Sequence, residues 1–81
     1  MAQVSGTVHS VDGAPIEGVL VMGAGLNYCE TDAQGCFRLL HPEMALFFWC
    51  TGFLPKVRVL AAGEQKIDIV LRSAATVRAS A

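Results

Sequence analysis

The chain has 81 residues and a mass of 8.6 kDa, is 53% hydrophobic and 16% charged, and carries a formal net charge of −1. That length holds one domain, and folding at this size buries only about 60% of the unfolded surface, which argues against a deep catalytic cleft. The apolar content excludes disorder, six Lys and Arg against seven Asp and Glu leave no basic stripe for nucleic acid, and no apolar run reaches the ~20 residues of a membrane span.

The elements follow as short strands with frequent punctuation. Gln3 to His9 alternates Val4, Gly6 and Val8 against Ser5, Thr7 and His9, the period of a half-buried strand. Asp12-Gly13 and Pro15 mark a turn. Val19 to Met22 reads as a second strand, ended by Gly23-Ala24-Gly25. Tyr28 to Thr31 is a third, and Asp32-Ala33-Gln34-Gly35 turns into Cys36 to Leu40, which Pro42 ends. An aromatic-rich strand runs from Ala45 to Thr51; Val57 to Leu60 and Lys66 to Leu71 complete the set. No stretch sustains a 3.6-residue period. Seven strands separated by Gly-containing turns predict an all-β fold, a small seven-stranded antiparallel, Greek-key-like β-sandwich over residues 1–72. The tail 73–81 has small residues and no strand alternation, and is expected to be flexible.

The turn at Asp32–Gly35 suggests a register. With Gly35 in the left-handed position of a three-residue hairpin loop, Asp32 faces Cys36, Thr31 faces Phe37, Glu30 faces Arg38 and Cys29 faces Leu39. Alternation then places Cys29, Thr31, Phe37 and Leu39 inward and pairs Glu30 with Arg38 outside. Cys29 and Cys36 point to opposite faces, against a disulfide between them. Asp32 and Asp12 read as carboxylates that accept backbone N–H groups in their own turns.

Chemistry-bearing motifs are scarce. The three cysteines, Cys29, Cys36 and Cys50, form no Cys-x-x-Cys, and His9 and His41 are far apart, so no metal site and no cofactor are expected. No serine stands in a Gly-x-Ser-x-Gly context, and no Gly-rich loop precedes a helix. The start, Met1-Ala2-Gln3-Val4-Ser5, lacks the basic and apolar regions of a signal peptide. With three thiols this favours a cytoplasmic setting slightly.

Val4-x-Gly6-x-Val8, then Asp12-Gly13-x-Pro15-Ile16-x-Gly18-Val19-x-Val21, Thr31-Asp32-x-x-Gly35-x-Phe37-x-Leu39, and Gly52-Phe53-x-Pro55 occur in an order that resembles the carboxypeptidase regulatory-like domain. Phe53 stands where Tyr is common in that family. The resemblance covers Val4 to Leu71 and implies a transthyretin-like (prealbumin-like) sandwich, similar in architecture to modules of bacterial surface adhesins. It also implies an accessory, non-catalytic role, because the matching residues are turn and core positions. A hydrolase of the transthyretin-related kind needs His, Arg and Lys converging in a subunit groove, and neither histidine lies in such a motif.

The aromatic strand carries the functional expectation. With Leu46, Phe48 and Cys50 inward, Phe47 and Trp49 must point outward; likewise Leu20 and Met22 are outward if Val19 and Val21 are in, and Val70 if Ile67, Ile69 and Leu71 are in. The expected core is Val4, Val8, Ile16, Val19, Val21, Phe37, Leu39, Leu46, Phe48, Val57, Val59, Ile67, Ile69 and Leu71. An outward strip of Phe47, Trp49, Leu20 and Met22 marks a contact surface, for a protein partner or a homodimer. Carbohydrate binding through the same rings is the alternative, although the strand supplies only Thr51 as a polar neighbour.

Overall fold

The computed structural model describes residues 3–23, 27–40, 45–61 and 63–74. Seven strands lie among them: β1 (Gln3–Ser10), β2 (Leu20–Met22), β3 (Tyr28–Glu30), β4 (Cys36–Leu40), β5 (Ala45–Trp49), β6 (Lys56–Val59) and β7 (Lys66–Leu71). They form two sheets, one of three strands in the order β4-β1-β7 and one of four in the order β3-β2-β5-β6. The expected β-sandwich and its seven strands are present. One ladder departs from the antiparallel pattern: β1 and β7 run parallel, with Val8 beside Ile69. Among the described residues no helix is long and apolar enough to cross a membrane.

The core lies between the sheets, where alternate residues of each strand meet. Val4 and Val8 of β1, Phe37 and Leu39 of β4, and Ile67, Ile69 and Leu71 of β7 face Val21 of β2 and Leu46 and Phe48 of β5; Ile16 and Val19 close one end. The Phe37 and Phe48 rings meet edge-on across the gap, 5.6 Å between centroids at 71°, a geometry worth about 0.5–1.5 kcal/mol beyond its area burial. Cys29 and Cys50 pack against this core from partly buried positions.

The expected β3–β4 hairpin is corrected: the two strands belong to different sheets. The turn itself has the predicted chemistry. Gly35 is left-handed at φ +76°, its N–H donates to the Asp32 carbonyl at 2.9 Å, and Asp32 Oδ1 accepts the Gln34 and Cys36 amides at 3.0 and 2.9 Å. Beyond that turn the strands part. Thr31 N–H donates to the Val19 carbonyl, while Phe37 stands opposite Gly6 rather than Thr31, and Arg38 opposite Ser5 rather than Glu30. Thr31 is what makes the crossing possible. Buried at 4% exposure, its hydroxyl donates to the Ile16 carbonyl at 2.7 Å and accepts the Val19 amide at 2.9 Å. Backbone groups that leave one sheet before joining the next are thereby satisfied. Cys29 faces the core and Cys36 faces solvent, and all three thiols are free; burial pushes the Cys29 thiol pKa up.

Asp12 accepts backbone amides of its own turn as expected, and a side-chain donor besides. The Ser10 hydroxyl donates to its Oδ1, and this bond, with the amides of Asp12 and Ala14, holds the carboxyl below its ordinary range. The β1 end is closed by Gly13 N–H on the Ser10 carbonyl and Ser10 N–H on the Ala14 carbonyl. At the other end of the body, Phe53 bridges Ser73, and Ala74 N–H donates to the Gly52 carbonyl at 3.0 Å. Residues 75–81, the rest of the expected tail, lie outside the described residues, as do His41 and the Pro42 strand end.

Val57 and Val59, expected in the core, are 61% and 65% exposed. The cause is the unequal width of the sheets. β6 is the fourth strand of a sheet that faces only three, so its inward side has no opposing strand to bury it. Its register with β5 puts Lys56 beside Phe48 and Arg58 beside Leu46, and Val57 beside Phe47 and Val59 beside Ala45 on the outer side. The inward cation is tied down instead: Arg58 Nη1 and Nη2 donate to Glu64 Oε1 and Oε2 at 3.1 and 2.9 Å, and Nη1 also donates to the Val59 carbonyl at 2.7 Å. Glu64 Oε1 accepts the Ala61 amide as well. The hydrogen bond from Arg58, then that from Ala61, holds the Glu64 carboxyl below its ordinary range.

Two predictions follow from these contacts. A Cβ on Gly6 would collide with the Ile67 carbonyl of the parallel partner strand, so Gly6→Ala should cost about 1–3 kcal/mol as an overpacking change. Urea denaturation measures it, and an unmoved midpoint contradicts the close β1–β7 approach. Because the folded pKa of Glu64 is depressed, its contribution is complete above the ordinary carboxylate value of about 4.3 and is lost as pH falls through the folded value. Glu64→Gln should therefore be less stable than wild type at neutral pH, with the gap closing on acidification. A pH-independent gap in thermal midpoints contradicts the clamp.

Candidate functional site

The two outer faces of the sandwich differ in chemistry. On the three-stranded sheet, alternation turns Ser5, Thr7 and His9 of β1 outward, with Cys36 and Arg38 of β4 and Lys66 and Asp68 of β7 around them. Thr7 Oγ1 donates to Asp68 Oδ1 at 2.7 Å. Leu40 and Val70 stand at opposite ends of this face, and between them it is the polar face that a solvated sheet presents. The shallow hollow over Gly6, bounded by Ser5, Thr7, Cys36, Lys66 and Asp68, brings no catalytic constellation together. Among the described residues no group of three His, Cys, Asp or Glu side chains is placed to hold a metal. His9 lies half-buried with Nδ1 near the Ser10 carbonyl.

The outer face of the four-stranded sheet is largely apolar. One cross-strand row runs Tyr28, Met22, Phe47, Val57 from edge to edge; the next runs Glu30, Leu20, Trp49; beyond the first, Ala45 stands beside Val59. The four residues expected to face outward are thus neighbours on two central strands, Leu20 beside Trp49 and Met22 beside Phe47. Trp49 is 46% exposed, while Leu20, Met22 and Phe47 are half-buried by one another and by the flanking strands. Directly opposed side chains of this kind sit about 4.5–5.5 Å apart at Cβ, so the rows form a continuous surface.

Sequence reasoning missed the flanks of this surface. Alternation alone places Val57 and Val59 in the core and gives no role to Tyr28, which is 64% exposed. Of the seven large hydrophobic side chains exposed among the described residues, Tyr28, Trp49, Val57 and Val59 share this one face; Val11, Leu40 and Val70 are scattered elsewhere. Scattered singles are ordinary on a protein surface, whereas a clustered set is not. The signal in the sequence was Lys56-Val57-Arg58-Val59: it says that the valines share a face opposite two cations, and cations at an edge prefer water to a core. Electrostatically the face holds one charged side chain among the described residues, Glu30, at its corner.

No protein-family model matches the chain, and no curated relative matches it. Solved structures do. A chain from the crystal structure of an N-terminal interface mutant of a type II Cohesin–X-Dockerin complex from Acetivibrio cellulolyticus is similar at a TM-score of 0.71 and 16% identity, over 90% of this chain and 58% of that one. A chain from the C-terminal interface mutant of the same complex gives a TM-score of 0.66 and 17% identity, over 88% of this chain and 57% of that one. The chain therefore spans under two thirds of the length of the chains it matches. At such identity the likeness concerns the fold, and the fold shared with these chains is this β-sandwich.

Proposed function

We propose that this protein is a non-catalytic protein-contact module that works through the outer face of its four-stranded sheet. The observation that carries this reading is the apolar row Tyr28, Met22, Phe47, Val57 crossing all four strands, with Leu20 and Trp49 in the row beside it. Covering aromatic and aliphatic surface contributes about 25 cal/mol per Å² before the entropy cost of association, and Trp, Phe, Tyr and Met are the residues enriched where proteins meet. The similar solved chains come from complexes in which two proteins assemble, cohesin with X-dockerin, and an assembly role fits the apolar outer face. The order of motifs shared with carboxypeptidase regulatory-like domains supports the same accessory role, and on it we place the chain with the transthyretin-like sandwiches.

Carbohydrate binding is the weaker use of the same rings. Sugar recognition needs donors and acceptors around the stacked ring, and the neighbours of Trp49 across the sheet are Leu20 and then Glu30.

The test is Phe47→Thr with Trp49→Thr. Both positions face outward in strands, where Thr is well tolerated, so the fold should persist by circular dichroism. Solubility should rise and any association of the wild type should fall. Unchanged solubility and unchanged mass in solution contradict the reading.

A further inference from the structure

Resting on that reading, we infer that the occupant of the apolar face is a second copy of this chain, stacked sheet on sheet about a two-fold axis that runs along the strands. Three observations point there. First, the surface is broad and level. Four strands about 4.8 Å apart span about 19 Å, with side-chain rows about 6.8 Å apart, wider than the ~10 Å of a single helix and suited to another sheet at the usual ~10 Å separation. Two such faces together would bury roughly 1,200 Å², the lower bound for a specific interface.

Second, the face complements itself under that axis. The operation lays β2 over β5 of the copy and β3 over β6 of the copy. Leu20 and Met22 then meet Trp49 and Phe47 of the second copy, and the large Tyr28 meets the small Val57, an alternation of size that lets the layers interdigitate. Glu30, the charged member among the described residues, stays at the rim. There its carboxylate stays open to water, exposed as it is in the single chain, so no carboxylate is buried unpaired.

Third, the β6 edge beside this face is obstructed as a route to self-association. Antiparallel pairing of β6 with its own copy centred on Val57 would set Lys56 opposite Arg58. Arg58 already lies on the Val59 carbonyl and on Glu64. Charged and covered edges of this kind disfavour strand addition.

Sedimentation equilibrium of the full chain over a concentration series tests the inference, together with cysteine cross-linking in a Cys36→Ser background. The wild type should rise from 8.6 kDa towards twice that mass, and Val57→Lys, at an exposed position that leaves the core untouched, should hold the chain at monomer mass. Tyr28→Cys combined with Val57→Cys should give covalent dimers on oxidation, and each single variant should not. Cross-linking by Tyr28→Cys alone overturns the axis, because a two-fold across the strands would bring that residue against itself. A wild type that stays monomeric throughout, while Phe47→Thr with Trp49→Thr still raises solubility, overturns the second copy and leaves a different protein as occupant. If that double variant changes neither solubility nor mass, the contact reading fails along with it.

Discussion

A four-stranded sheet packed on a three-stranded one cannot be covered completely, and the outward character of this molecule follows from that mismatch. Three strands are enough to bury Val21, Leu46 and Phe48 against Val4, Val8, Leu39 and Ile69. They are too few to reach β6. The fourth strand is therefore free to turn its cations to the inner side, where Arg58 and Glu64 hold each other at the open margin, and its valines to the outside. What would be a polar outer face in an ordinary antiparallel sandwich becomes an extension of the hydrophobic surface begun by Leu20, Met22, Phe47 and Trp49.

The crossing between sheets depends on small, specific devices rather than on strand propensity. Thr31 satisfies the backbone where β3 ends, Asp32 closes the turn, and Gly35 fits beneath the Val8 carbonyl in a conformation that a side chain would strain. These groups let consecutive strands feed opposite layers. They also fix the direction from which β4 meets β1, and so the placement of Phe37 against Phe48. The sheet that presents the apolar outer face is held in place by contacts on its other side.

Much of this was legible in the residues. Alternation located every strand to within two residues at either end, and it sorted the core correctly on β1, β2, β4, β5 and β7. Asp32 and Gly35 announced a turn of the right kind. Two things were not legible, each for a physical reason. A turn sequence specifies the local backbone but not whether the strands beyond it pair or part, so Thr31–Phe37 was read as a ladder pair when Phe37 belongs opposite Gly6. Period-two alternation specifies which residues share a face but not which face is buried. For Val57 and Val59 that choice was made by the number of strands across the core, a property of the whole sheet. The outward direction of Trp49 was legible because Phe48 and Leu46 had a core to fill; the breadth of the surface around it was not.

The account stands or falls on the side of β5 from which water reaches the indole. Acrylamide quenching of Trp49, the chain's single tryptophan, measures this at concentrations low enough to keep the chain monomeric. The predicted result is efficient quenching in the folded protein, with a rate constant approaching that of the unfolded chain. An indole shielded from the quencher in the folded monomer would place it inside the sandwich and contradict the account.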